Sequence, residues 1–173
     1  MLEIGFGNGE VLSLLAAAHP QNNYLGIEVH RPGVGNLLLQ LDKQGLSNVR
    51  IVCADAKLVL QQQIPPASLD TVYLFFPYPW PKTRHHKRRL VQTDFAALIQ
   101  ACLKSNGTFY VATDWEHYAA QMMEVLSLMP GLENIAGPGR YVVHADYRPP
   151  TKFERRGKKL GHKVYDLAFR RVG

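Results

Sequence analysis

A run of prolines, aromatic rings and cationic side chains occupies the middle of the sequence, from Phe75 to Arg89. Within it, Trp80 offers a flat face on which a nucleic-acid base can stack. Five cations accompany it with no acidic residue among them: Lys82, Arg84, Lys87, Arg88 and Arg89. Because a solvated protein face usually mixes both signs of charge, the stretch predicts contact with a polyanion. A proline-rich turn followed by the solvated start of a basic helix is the alternative.

Three carboxylates stand at or near the ends of predicted strands: Glu3, Glu28 and Asp55. Any one of them alone is more often a cap or turn residue than a ligand contact. The carboxyl ends of parallel strands share one edge of a sheet, so the three are expected to lie on the same edge. An acidic edge favours a cationic ligand that also carries a ribose, which describes S-adenosylmethionine with its sulfonium and ammonium groups.

A glycine-rich turn from Glu3 to Gly9 joins the first strand to a helix. Gly5 and Gly7 allow positive φ and a close approach of a ligand to the backbone, although a purely structural turn is the alternative. The dinucleotide fingerprint needs a third glycine where this sequence has Glu10. Glu3 and Glu10 would also repel a pyrophosphate at the helix start, which disfavours a nicotinamide-dependent oxidoreductase.

The elements that position these residues follow from hydrophobic patterning, which predicts an α/β fold with a mostly parallel sheet and an antiparallel C-terminal strand. The predicted strands are Met1–Ile4, Asn23–Ile27, Val49–Cys53, Leu69–Phe76, Gly107–Ala112 and Val164–Arg170. The predicted helices are Glu10–Ala18, Pro32–Gln44, Ala56–Gln63, Gln92–Leu103, one that ends near Met129, and a short basic one that begins at Thr151. Residues 130–150 show no clear periodicity.

Charge is distributed unevenly along the chain, which has 173 residues and a net charge of +6. The segments Phe75–Arg89 and Thr151–Gly173 hold 13 of the 20 basic residues, whereas the rest of the chain is acidic overall. This separation of charge favours the binding of a polyanion across one face of the protein. The length predicts one domain, residues 1–173, and a strand that begins at residue 1 predicts a preceding segment. No apolar run reaches the length of a membrane span, and we predict a cytoplasmic monomer.

Several further residues have two interpretations. Cys53 and Cys102 lie in apolar segments and are predicted to be buried thiols without metal spacing. Two Thr-x-x-Glu sequences, Thr113–Glu116 and Thr151–Glu154, fit helix capping boxes. Asp114 and Trp115 fall on the edge that bears the carboxylates, so a substrate role competes with capping there. Three methionines are most simply core residues: Met122, Met123 and Met129.

Five sequence motifs together resemble one family. They are LEIGFGNG, GIEVHRPG, FFPYPWPKTRHHKRRL, ATDW and RPPTKFERRGKKLGH. In combination, the chain resembles the bacterial tRNA (guanine-N7-)-methyltransferases from its first residue to its last strand. The resemblance implies the Rossmann-like fold of class I S-adenosylmethionine-dependent methyltransferases, with helices on both faces of the sheet. It implies tRNA as the partner and the variable-loop guanine, at tRNA position forty-six, as the methyl acceptor.

The resemblance also implies roles for individual residues. It assigns S-adenosylmethionine contacts to Glu3, Glu28 and Asp55, beside the glycines Gly5 and Gly7. It assigns contacts with tRNA or guanine to Lys82, Asp114, Thr151, Lys152, Phe153 and Glu154.

Tyr78 is the one serious departure from the family pattern. The family has an aspartate at this position, proposed to be catalytic and to lie beside the cofactor. A tyrosine phenol is neutral at pH 7 and is much bulkier than a carboxylate. We therefore expect a methyltransferase with impaired turnover and retained RNA affinity. A catalytically silent tRNA-binding protein on the same fold is the alternative.

Overall fold

Seven strands form one sheet in a computed structural model, which describes residues 1–143, 145–150, 154–155, 161 and 163–173. The strands are β1 (Leu2–Ile4), β2 (Tyr24–Ile27), β3 (Val49–Val52), β4 (Leu69–Phe75), β5 (Leu103–Thr113), β6 (Leu132–Asn134) and β7 (Tyr165–Arg171). Their order across the sheet is β3-β2-β1-β4-β5-β7-β6. The first five in this order run parallel, and β7 is antiparallel to both of its neighbours. The predicted fold class is confirmed.

Helices occupy the connections between the parallel strands. The α-helices are α1 (Glu10–Ala18), α2 (Arg31–Gln44), α3 (Ala56–Gln62), α4 (Thr93–Cys102) and α5 (Glu116–Ser127). A 3-10 helix covers Thr83–Arg88 within the basic stretch. The four helices α1 to α4 match the predicted ones to within one residue at each end. None of the helices in the described ranges is both long enough and apolar enough to traverse a lipid bilayer.

Two apolar clusters, one on each face of the sheet, hold the layers together. Strand β4 alternates between them, because successive side chains of a strand point to opposite faces. Val72 and Leu74 belong to the larger cluster with residues of α3, α4 and α5, and Tyr73 belongs to the smaller one with residues of α1 and α2. Burial of both faces explains why this central strand is a nearly continuous apolar run.

The C-terminal part of the sheet differs from the prediction. Strand β5 begins at Leu103, four residues earlier than predicted, because Leu103 pairs with Leu69 and an irregularity in β4 then shifts the register. Residues 130–150 contain an unpredicted edge strand, β6, which pairs with β7. Three residues are too few to produce a visible alternation. The helix predicted to begin at Thr151 lies mostly outside the described residues.

Two side-chain predictions have different outcomes. Cys102 is buried as predicted, but Cys53 is exposed, so the prediction of a second buried thiol is wrong. The reason is that β3 ends at Val52, which leaves Cys53 in the following loop. Met122 is fully buried in the larger cluster, and Met123 and Met129 pack partly buried against it, as expected of core residues.

The topology brings the predicted site residues to one edge of the sheet. Strands β1 to β5 all end at this edge, and β7 begins there because it is antiparallel, with Tyr165 opposite Thr113. The order of connection reverses between β1 and β4, which is where open α/β sheets bind ligands. The glycine-rich turn follows β1, and the proline-rich loop follows β4.

Candidate active site

The glycine-rich turn forms an open cradle at the end of β1. Gly5 and Gly7 have φ of 70° and 56°, a left-handed conformation that side chains rarely adopt. Chain neighbours aside, no atom of the described residues lies within 4 Å of where a Cβ would stand on either glycine. The open space above the turn is therefore available to a ligand that contacts the backbone directly.

Glu28 organises the turn from the end of β2. One carboxylate oxygen accepts a hydrogen bond from the Gly7 N–H (2.8 Å). The other accepts from the N–H groups of Val29 (2.7 Å) and His30 (3.0 Å). A carboxylate has about four acceptor positions, so these three bonds fix its orientation and leave capacity for a ligand hydroxyl.

Glu3 is the most unusual group at this edge. Its side chain is only 3% exposed, and its Oε2 has no hydrogen-bond partner among the described residues. Burial, together with the nearby charge of Glu28, raises the pKa of Glu3 to about 8. A buried carboxyl group without a partner is costly, and a cationic ligand would supply the missing interaction.

Asp55 lies at the end of β3, where it caps the next helix. Its Oδ1 accepts from the N–H of Leu58 (3.1 Å) in the first turn of α3. The capping interpretation that accompanies the predicted cofactor role therefore has direct support. Asp55 is exposed, and one carboxylate oxygen is not needed for the cap, so capping and ligand contact are compatible.

The proline-rich loop after β4 has a strained backbone. Phe76 and Trp80 have φ of 52° and 46°, in the left-handed region that bulky residues avoid. Such conformations cost on the order of 1–3 kcal/mol each and cluster at functional sites. The N–H of Phe76 donates to the carbonyl of Ala112 (2.7 Å), which ties the start of the loop to β5.

Tyr78 projects from this loop toward solvent. Its side chain is 66% exposed, and its ring lies edge-on to Trp80 with a centroid distance of 5.1 Å. His85 and the Arg88 guanidinium also contact the Trp80 ring, at 5.8 Å and 5.0 Å from its centroid. The indole predicted to stack on a base thus already has aromatic and cationic neighbours.

The basic stretch divides into an exposed part and one buried member. Lys82, Arg84, Lys87 and Arg88 are exposed along the 3-10 helix and its start, as predicted. Arg89 is 1% exposed, so the prediction that it belongs to the same cationic surface is wrong. It lies at the C-terminal end of the 3-10 helix, where the chain turns inward.

The residues after β5 confirm the predicted edge but not the predicted cap. Asp114 and Trp115 are exposed at the carboxyl end of the strand, next to the start of α5. Trp115 occupies the N-cap position of α5 without a side-chain capping bond, and the Thr113 hydroxyl accepts from the Trp115 N–H (3.2 Å). The capping box predicted for Thr113–Glu116 is therefore wrong, because the strand continues through Thr113 and the helix begins only at Glu116, so that its N-cap lies two residues after Thr113.

Glu154 belongs to a buried ionic cluster that the sequence did not reveal. It is 7% exposed and forms an ion pair with Arg148, which also pairs with Asp166 on β7 (3.0 Å). Tyr147 donates a hydrogen bond to the same aspartate (2.8 Å). Charged residues buried at this depth require such partners. The acid Asp166 among the apolar and aromatic residues 165–169 of β7 was the available signal.

This cluster lies against the strand that leads to the proline-rich loop. The Arg148 guanidinium is 5.3 Å from the centroid of the Phe75 ring and 5.6 Å from that of Phe76. A cavity of about 570 Å³ adjoins it, and Arg148, Glu154 and Asp166 are among the residues that line it. Thr151, Lys152 and Phe153, which the resemblance assigns to substrate contact, lie outside the described residues.

A surface ion pair brings the same segment to the glycine-rich turn. Arg155 contacts the Glu10 carboxylate (2.5 Å) in the first turn of α1. The residue after Glu154 thus contacts the helix that follows the glycine-rich turn. Among the described residues, no group of three or more His, Cys, Asp or Glu side chains has a geometry that could hold a metal ion.

Comparisons with known proteins agree with this geometry. A family model described as "putative methyltransferase" matches residues 1–167. The tRNA (guanine-N(7)-)-methyltransferase of Hydrogenovibrio crunogenus is 56% identical over 99% of this chain and 72% of its own length. The enzyme of the same name from Nitrosospira multiformis is 55% identical over 98% and 73%, respectively.

Solved structures support the fold at much lower sequence identity. A SAM-dependent methyltransferase from Aquifex aeolicus superposes with a TM-score of 0.66 at 14% identity, over 99% of this chain and 81% of its own. A SAM-dependent O-methyltransferase from Thermotoga maritima gives a TM-score of 0.63 at 17% identity, over 99% and 59%. At this level of identity, these likenesses show a shared fold.

Proposed function

This chain belongs to the tRNA (guanine-N7-)-methyltransferase family, and from that premise we propose how its residues share the work. The reaction transfers a methyl group from S-adenosylmethionine to N7 of a guanine in tRNA. The buried carboxyl group of Glu3, whose Oε2 has no hydrogen-bond partner among the described residues, lies beneath an open glycine-rich turn, and this is the observation that carries the proposal. We take the acceptor to be the variable-loop guanine at tRNA position forty-six.

The first three strand ends fit S-adenosylmethionine, which supplies an electrophilic methyl group on a sulfonium. Glu3 offers a buried carboxylate to a cationic part of the cofactor, and Gly5 and Gly7 leave room for close contact. Glu28 is already oriented by three backbone N–H groups and retains acceptor capacity for a ribose hydroxyl. Asp55 contributes a further acidic acceptor at the end of β3.

Guanine N7 carries a free lone pair, so its methylation does not require a general base. The residues of this chain therefore act mainly by holding N7 in line with the methyl group and the sulfur. Such orientation can supply roughly 7–11 kcal/mol of the barrier reduction. We assign this positioning to Lys82, Asp114 and Glu154, together with Thr151, Lys152 and Phe153.

Tyr78 stands where the resemblance implies an aspartate, and we propose that it lowers turnover. A neutral phenol cannot provide the charged hydrogen bond of a carboxylate, which is worth about 1.5–3 kcal/mol. That loss corresponds to roughly a 10- to 150-fold lower rate at 1.4 kcal/mol per decade. The Tyr78 ring is largely exposed and not packed into the core, which favours reduced rather than abolished activity.

The exposed cations of the basic stretch are placed to contact the tRNA backbone. Lys82, Arg84, Lys87 and Arg88 are all exposed, on the 3-10 helix after β4 or at its start. Phosphate contacts of this kind supply affinity and register without reading sequence. We propose that residues 1–173 form one methyltransferase domain, which acts as a monomer in the cytoplasm, where tRNA is found.

The test is methyl transfer from labelled S-adenosylmethionine to unmodified tRNA, with identification of the methylated nucleoside. Label in N7-methylguanosine is the expected result. A tRNA with adenine at position forty-six is the matched control and should receive no label. The silent tRNA-binding alternative predicts tight binding of both RNAs without transfer to either.

A further inference from the structure

Arg89 is the largest fully buried side chain of the described residues, yet it is a cation. No carboxylate among the described residues pairs with it, and its Nη2 has no hydrogen-bond partner among them. Burial lowers the pKa of this guanidinium, in keeping with its position away from water. A buried charge without a counterion is unfavourable for stability, so its presence calls for another explanation.

The hydrogen bonds of Arg89 join the proline-rich loop to helix α5. Its Nε donates to the carbonyl oxygen of Pro79 (2.7 Å). Its Nη1 donates to Gln121 Oε1 (2.6 Å) and lies 3.0 Å from His117 Nδ1, and both of these residues belong to α5. The guanidinium also lies 4.8 Å from the centroid of the Tyr118 ring on the same helix.

The proline-rich loop needs contacts from outside because it can form few hydrogen bonds within itself. Pro77, Pro79 and Pro81 have no backbone N–H, so they cannot donate the hydrogen bonds that usually fix a turn. Phe76 and Trp80 are in left-handed conformations that persist only when the surroundings impose them. The carbonyl that Arg89 contacts is that of the residue directly before Trp80.

We propose that Arg89 is a positioning residue, which holds the Pro77–Lys82 loop against α5 at the edge of the sheet where methyl transfer takes place. The inference rests on the proposed function, since it concerns the loop assigned to guanine and tRNA. It adds a role for a member of the basic stretch that does not reach the surface. Helix α5 begins directly after Asp114 and Trp115, so the same anchor fixes the distance between two substrate-facing segments.

The experiment compares Arg89→Lys with wild type, because lysine keeps the charge but lacks the planar fork that reaches three partners. Arg171→Lys is the matched control, since Arg171 also donates to backbone carbonyls, those of Ala101 and Leu103, at the opposite edge of the sheet. Gln121→Met is a milder second variant that removes one acceptor of Arg89, together with the bond from Gln121 Nε2 to the Val91 carbonyl (3.3 Å), and leaves the bond to Pro79.

Three readouts are measured on the full chain: kcat for tRNA methylation, the Kd for S-adenosylmethionine, and amide hydrogen exchange by peptide. For Arg89→Lys we expect kcat to fall roughly 10- to 100-fold, as for a misplacement of about 1 Å, with an unchanged cofactor Kd. Exchange should rise in the peptide that covers residues 76–84 and stay unchanged in β4. Gln121→Met should show smaller changes of the same kind, and Arg171→Lys should show neither.

A merely structural role for Arg89 predicts a different pattern. Exchange would then rise throughout the sheet in proportion to the loss of stability, and the cofactor Kd would change with it. That pattern, or an Arg89→Lys variant with wild-type kcat and wild-type loop exchange, would overturn the proposal. If wild type itself transfers no methyl group, the proposed function fails, whereas loop exchange and cofactor binding still test the anchor.

Discussion

Replacement of Glu3 by glutamine should change how the stability of the cofactor-free protein depends on pH. Burial raises the pKa of Glu3 to about 8, far above that of a glutamate in an unfolded chain. Between about pH 5 and pH 8 the unfolded state therefore has lost this proton while the folded state retains it. The stability that the protonated carboxyl provides is complete at lower pH and is lost as the pH rises through this window. The Glu3→Gln variant lacks this titrating proton, so its stability does not have this pH dependence.

The magnitude follows from the slope of proton linkage. One proton of difference changes the free energy of unfolding by about 1.36 kcal/mol per pH unit. Over three pH units, the difference in unfolding free energy between wild type and Glu3→Gln should therefore change by roughly 4 kcal/mol. Wild type becomes less stable relative to the variant as the pH rises. Taking the difference at each pH cancels the titration of groups that both proteins share.

The assay is urea unfolding of both proteins without cofactor, at half-unit steps from pH 5 to pH 8. Equal slopes with denaturant would confirm that the two unfolding reactions expose the same surface. A difference in unfolding free energy that stays constant across this range would refute the reasoning. It would mean that Glu3 is ionised in the folded protein and has access to water or to a partner.

Three further predictions concern the cofactor, the RNA and the buried ionic cluster. S-adenosylmethionine binding should release a proton from Glu3 below about pH 8, so calorimetry in buffers of different ionisation enthalpy should give different apparent enthalpies, and identical ones would count against a cation beside Glu3. Replacing both Lys87 and Arg88 by alanine should weaken tRNA binding and make the plot of log affinity against log salt shallower by about 1.5; an unchanged slope would place these cations away from phosphates. Arg148→Met removes the cation that pairs with Glu154 and Asp166 in the buried cluster and should lower the unfolding free energy by about 3–5 kcal/mol, whereas Arg170→Met, which breaks an exposed pair, should cost under about 1 kcal/mol. Equal losses in urea unfolding would contradict the buried pairing.

The parallel part of the fold was predictable because its signals are local and long. Strand β4 is a nearly continuous apolar run, and α2 has a proline in its first turn and ends at Gly45, both of which the sequence displays. By contrast, β6 has three residues and exists because it pairs with β7, a contact between distant parts of the chain. A non-local pairing of that length leaves no periodic pattern in either segment.

The candidate site was predictable in its residue types and less so in its burial. Glu3, Glu28 and Asp55 were placed on one edge by the rule that parallel strands end together, and the topology confirms that placement. Arg89 was grouped with its exposed neighbours because a run of cations usually lies in solvent. Its inward turn depends on acceptors supplied by α5, about 30 residues later, and by the carbonyl of Pro79. The role of Arg148 was hidden for the same reason.

The most direct measurement is the single-turnover rate of methyl transfer to unmodified tRNA, for this chain and for its Tyr78→Asp variant, with the product nucleoside identified. The account predicts N7-methylguanosine from both proteins and a rate roughly 10- to 150-fold higher with aspartate. Equal rates would show that residue 78 does not limit turnover. Absence of N7-methylguanosine with either protein, although both bind tRNA and S-adenosylmethionine, would contradict the assignment of methyl transfer to this site.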